Sequence, residues 1–134
     1  MIFSTKNDII SMKDVTSLND IVLLLMKLGI TANYNGYWYL ITILEMLSGE
    51  NLQSLRVTKD IYPYAAQVHH TSPWNVDRGI RTVVDACWNR GNREFLCKIC
   101  ASSERPSNFT FIAALVTYLQ YQRNRADLSD AADG

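Results

Sequence analysis

The sequence predicts an all-α protein, a compact bundle of about six helices containing a helix-turn-helix. Three observations carry this reading. Apolar residues recur at helical spacing in one segment after another. Residues that cap and stop helices, Ser or Asn before and Gly after, bound those segments. No stretch of the 134 residues alternates apolar and polar with the conviction a strand requires.

The elements follow in chain order. Residues 1–16 have weak periodicity and mixed charge, and read as a mobile arm or a short extra helix. Ser17 is a good N-cap. Leu18, Ile21, Leu24, Leu25 and Leu28 then make a stripe that Gly29 terminates. Ile30 to Asn35 reads as a loop. A second helix runs from about Gly36 to Ser48, with Gly49 as its stop. Its apolar residues wrap nearly all round, which places it at the centre of the core. A third starts near Thr58 and ends near His69, and Pro63 predicts a kink or a late start.

The turn His70-Thr71-Ser72 leads into the most informative segment. Ser72 is an N-cap and Pro73 suits the first helical position, where its missing N–H costs nothing. Val76, Ile80, Val83, Val84, Cys87 and Trp88 form one apolar stripe. Asp77, Arg78, Arg81, Thr82, Asp85 and Asn89 fall on the other face. Gly91 reads as a left-handed stop, with Arg90 well placed for the helix dipole. An amphipathic helix with a solvated charged face is the plainer reading of this pattern. A helix entered by a short turn from another, carrying two arginines one turn apart, also has the form of a DNA recognition helix. Asn92 opens a fifth helix to about Ala101. Ser107 caps a last one, with Phe111, Ala114, Leu115, Tyr118 and Leu119 in its stripe. The acidic segment 124–134 is expected to be disordered.

Composition sets the bounds. The length suits one domain, here residues 17–123, and 48% hydrophobic content is enough to build a core. Formal net charge is zero, which gives no global sign of nucleic acid. The charge is unevenly spread, however. Arg56, Lys59, Arg78, Arg81, Arg90 and Arg93 outnumber Asp60, Asp77 and Asp85 between positions 51 and 93, whereas the tail from Ala126 holds three aspartates and no base. The longest apolar run, Ile21 to Met26, is too short to span a membrane. The N-terminus lacks a signal-peptide pattern, so a cytoplasmic protein is expected.

Nothing in the sequence argues for an enzyme. There is no nucleophile elbow, phosphate-cradling glycine loop or paired-carboxylate constellation. Cys97-Lys98-Ile99-Cys100 is a CxxC without a second paired set, so buried thiols are the better reading than a zinc site. His69-His70 at a helix end reads as a favourable partner for the dipole. No cofactor or metal is expected.

Several spaced motifs then point to a family. Val76-Asp77-Arg78-Gly79-Ile80-Arg81 and Trp88-Asn89-Arg90-Gly91-Asn92 resemble V-E-R-A-I-R and the end of A-W-S-R-G-N in the C-terminal domain of the sporulation initiation regulator of endospore-forming bacteria, stage 0 sporulation protein A. Leu28-Gly29-Ile30-Thr31-Ala32 resembles that family's E-I-G-V-P-A, and Gly36-Tyr37-Trp38-Tyr39-Leu40 its G-Y-x-Y-L. Val57-Thr58-Lys59-Asp60-Ile61-Tyr62-Pro63 resembles I-T-K-x-L-Y-P. Pro106-Ser107-Asn108 with Phe111-Ile112-Ala113 resembles P-T-N-x-x-F-I-A. The match is collinear over about residues 17–122.

The resemblance implies a six-helix DNA-binding domain whose helix-turn-helix joins the helix from about Thr58 to the one from Ser72. In the family this domain follows a phosphorylatable receiver and binds a TGTCGAA-like box, often as a tandem pair. The 134 residues are expected to leave no room for a receiver, so the phospho-aspartate switch is not carried over, and the sequence reads either as a fragment or as a stand-alone relative controlled differently. The family presents two arginines and a glutamate to base edges from a T-A-S-R-V-E-R-like run. Here Asn75 stands at the first arginine, Asp77 at the glutamate, and Arg78 keeps the second arginine. Trp74 replaces a small polar residue.

The expected base contacts are therefore Asn75, Asp77 and Arg78, and the expected phosphate contacts Arg56, Lys59, Arg81, Thr82 and Arg90. The expected partner is double-stranded DNA, bound by a homodimer or tandem dimer. Asparagine suits adenine where arginine suits guanine, so a changed target is expected. The alternative is a protein-interaction module that modulates a related regulator through Trp74 or the outer face of the same helix.

Overall fold

The computed structural model describes residues 18–47 and 57–133. These residues form six α-helices: α1 Leu18–Leu28, α2 Asn35–Leu47, α3 Tyr62–Val68, α4 Pro73–Arg90, α5 Arg93–Cys100 and α6 Asn108–Asp133. A π-helical turn, Val57–Ile61, runs directly into α3. No strand occurs among the described residues. Ser17, Gly49, Arg56 and the arm 1–16 lie outside them.

The predicted apolar stripes are the faces that meet. Ile21, Leu24, Leu25 and Leu28 of α1, Leu40, Ile43, Leu44 and Leu47 of α2, and Val76, Ile80, Val83 and Val84 of α4 share one buried cluster. Phe111, Ile112, Leu115, Val116 and Leu119 of α6 close it. α2 is the central element, buried on most of its surface and packed against α1, α3, α4 and α6. Leu18 departs from its stripe. It is half exposed.

The helix ends explain the glycines. Gly29 has φ +80°, the left-handed conformation that closes α1, and its N–H donates to the Met26 carbonyl at 3.0 Å. Gly91 does not follow the expected left-handed stop: its φ is −94° and its ψ −153°. Its need is for space. A Cβ there would meet the Leu28 carbonyl oxygen at 2.6 Å and the Cys87 Cα at 2.9 Å. At this junction the Asn92 N–H donates to the Leu28 carbonyl at 3.0 Å, and Asn92 Nδ2 to the Lys27 carbonyl at 3.1 Å. Asn92 Oδ1 also caps α5 by accepting from the Phe95 N–H. One residue, directly after the Gly91 cap of α4, thus starts α5 and holds the end of α1.

Of two further boundaries, the first follows expectation and the second departs from it. Pro63 falls at the second residue of α3, so the regular helix starts late and the π-helical turn precedes it. The segment from Ala126, expected to be disordered, continues α6 to Asp133. No Pro or Gly interrupts positions 108–133, and Ala126, Ala131 and Ala132 favour helix.

Candidate nucleic-acid interface

α3, the turn His69–Ser72 and α4 form the helix-turn-helix. The turn is tied at both ends. The His69 N–H donates to the Ala65 carbonyl at 3.0 Å and the Thr71 N–H to the Ala66 carbonyl at 2.9 Å, while His70 takes φ 54° to reverse the chain. Ser72 Oγ then accepts from the Asn75 N–H at 3.1 Å, and Pro73 opens α4. The His69 ring lies 2.7 Å from Thr42 Oγ1 through Nε2 and edge-on to Tyr39, which pins the turn to α2. The expected dipole partner is thus a side-chain anchor as well.

A helix turns by about 100° per residue, so Trp74, Arg78 and Arg81 run down the middle of the outer face of α4. Asn75 and Thr82 flank them on the side of α2, and Asp77 on the side of α6. Arg78 is exposed, and its guanidinium makes no hydrogen bond among the described residues. Thr82 Oγ1 donates to the Arg78 carbonyl at 3.0 Å. Asn75 Nδ2 donates to Thr71 Oγ1 at 2.9 Å. Asn75, Arg78 and Thr82 line a recess of about 400 Å³ with Asn35, Tyr39, Thr71 and Gly79. A second recess, of about 250 Å³, continues it along Asn33, Tyr34 and Asn35. The α1–α2 loop is therefore one wall beside the outer face of α4.

The remaining predicted residues divide. Asp77 is only 22% exposed and is engaged within the protein: Oδ2 accepts from Arg81 at 2.8 Å and Oδ1 from Asn108 Nδ2 at 3.1 Å. Arg81 keeps its place on the outer face with its charge partly countered. Arg90 lies about 18 Å along the axis from Arg78, at 1.5 Å per residue, and donates to the Tyr34 hydroxyl at 2.6 Å. Lys59 is exposed on the π-helical turn. Arg93, not singled out from the sequence, stacks its guanidinium 4.2 Å from the Trp88 ring centroid. Trp74, 64% exposed, stands at the leading edge of α4.

Sequence reasoning missed Asn35, Tyr62 and Asn108. Asn108 sits inside the quoted Pro106-Ser107-Asn108 motif, so a signal was present. The motif alone does not show that its amide reaches Asp77.

The cysteines lie behind this surface. Cys87 is fully buried in α4, with its thiol 3.4 Å from the Leu28 carbonyl. Burial first, and the neighbouring Cys100 second, push that thiol up to about 11. Burial also raises Cys100. No group of three or more His, Cys, Asp or Glu suited to holding a metal ion occurs among the described residues. No helix among them is long and apolar enough to cross a membrane.

The helix-turn-helix and its arginine face lie within one matched region, which also takes in most of α1, all of α2 and α5, and the first part of α6. The family model described as sporulation initiation factor Spo0A C terminal, a family of DNA-binding domains, matches residues 21–119. That span runs from the first buried residue of α1 to the last buried leucine of α6, and the chain belongs to the Spo0A C-terminal domain family.

Proposed function

We propose that this chain is a sequence-preferring DNA-binding transcription regulator that places α4 in the major groove. One observation carries the reading: the exposed Arg78 guanidinium, without an internal partner among the described residues, at the centre of the outer face of the second helix of a helix-turn-helix. Arginine pairs bidentately with guanine O6 and N7. Asn75 stands beside it at the recess, and its amide suits adenine once it leaves Thr71. Lys59, Arg81, Thr82 and Arg90, with Arg56 by its place in the sequence, supply phosphate contacts that fix register without reading bases. A homodimer or tandem pair on DNA fits two such half-sites.

The test is fluorescence anisotropy on a duplex carrying a TGTCGAA-like box and on a scrambled duplex, at two salt concentrations. Wild type is expected to prefer the box and to weaken on both duplexes as salt rises. Arg78→Ala is expected to cut the preference by about 1–3 kcal/mol, roughly five- to 150-fold. Equal, salt-sensitive binding to both duplexes by wild type indicates a different target, to be found by random-site selection. Absence of binding to either at low salt refutes the reading. The protein-interaction alternative, favoured by the exposed Trp74, then takes its place.

A further inference from the structure

Asn108 is the first residue of α6, but it does not cap that helix. Ser107 does so, its Oγ accepting from the Thr110 N–H at 3.2 Å. The Asn108 amide is free to reach across to both helices of the helix-turn-helix. Its Nδ2 lies 3.1 Å from the Tyr62 hydroxyl, 3.1 Å from the Asp77 carbonyl oxygen and 3.1 Å from Asp77 Oδ1. Tyr62 is the first residue of α3, and Asp77 lies in the second turn of α4. Burial before all else pushes the Tyr62 phenol above its usual range. One part-buried amide therefore joins three helices at a single point.

That point adjoins the reader. Arg78 directly follows Asp77, and Arg81 is held on the other Asp77 oxygen at 2.8 Å. A roll of α4 by about 10° would carry a guanidinium roughly 8 Å from the helix axis through about 1.4 Å, more than a bidentate pair tolerates. The shared amide holds both the main chain and the side chain of Asp77, so it opposes that roll.

We infer that Asn108 is a positioning residue for sequence readout: through Asp77 and Tyr62 it sets the roll of α4 against α3, and so the aim of Arg78. Asp77 is then the hub of this clamp and not a reader of bases. The inference rests on the reading of α4 as the recognition helix.

The experiment uses the whole chain and the same two duplexes, with thermal unfolding measured in parallel. Asn108→Ala is expected to lower the preference for the box about tenfold, and Tyr62→Phe about threefold, the scale of lost buried hydrogen bonds. Affinity for the scrambled duplex and its salt dependence stay as in wild type, because no phosphate contact is removed. A structural defect alone would weaken both duplexes together, and that outcome overturns the inference. Asn108→Asp faces one carboxylate with another and should lower the preference further, and the reciprocal pair D77N/N108D should restore part of it by rebuilding the hydrogen bond in reverse. Failure of the pair to rescue, or a full preference in Asn108→Ala, also overturns it. If wild type shows no preference, the proposed function falls as well; if Arg78→Ala loses the preference and Asn108→Ala keeps it, only this inference falls.

Discussion

Cys87 shows what burial does to a single group. Its thiol has no solvent exposure, and burial pushes it from 9.0 to about 11. The folded chain therefore holds this proton more tightly than the unfolded chain. The linked stability is complete below pH 9 and is lost as pH rises through about 11. Urea midpoints measured from pH 8 to 11 are expected to fall across that window, and Cys87→Ser to remove part of the fall. In native protein at pH 8, Cys97 and Cys100, each half-buried, should alkylate before Cys87. Equal labelling of all three would contradict the burial. The same scale shows where sequence reading stopped. Asp77 was legible as an acid on the outer face of a helix, just ahead of Arg78 and Arg81. Its orientation toward Asn108, 31 positions away, was not, because periodicity assigns a face and not a partner.

The crossing of α2 and α4 sets the interface at the scale of elements. It is made by two glycines. A Cβ on Gly36 would come within 2.7 Å of the Gly79 carbonyl carbon and of Val83 Cγ2. The obstacle is mostly backbone, which cannot step aside. Gly36→Ala is expected to destabilise the fold by about 1–3 kcal/mol in urea unfolding, and to reduce DNA binding only as far as it unfolds the domain. A Cβ on Gly79 would meet the Tyr39 ring at 2.9 Å. The motif that Val76 to Arg81 resembles has Ala at this position. Gly79→Ala therefore sets a helix-propensity gain of about 1 kcal/mol against displacement of a buried ring. The helices themselves were legible because caps and stripes are local. Ser72, Asn92 and Ser107 each cap as their residue types predict. Gly91 was legible as a stop but for a different reason, since its lack of a side chain serves α1 and not its own dihedral.

At the scale of the whole molecule, the described helices share one core, and α6 closes it. Phe111 has no solvent exposure and belongs to the cluster that includes residues of α1, α2 and α4. Phe111→Ala is expected to cost about 3–5 kcal/mol, a large part of a typical stability of roughly 5–15 kcal/mol. Because the core is shared, far-ultraviolet circular dichroism and tryptophan fluorescence should report one coincident transition in the variant. Two separated transitions would mean that α6 folds as an independent unit. The sequence by itself determined the class, the helices of the described residues, most of their caps and the motifs of the family, since each rests on residues within a turn or two of one another. Tertiary structure alone decided that Asn108 clamps Asp77 and Tyr62, that Asn92 holds the end of α1, and that Arg90 is engaged by Tyr34. Those pairings join residues tens of positions apart, and only the packed core brings their polar atoms within hydrogen-bond reach.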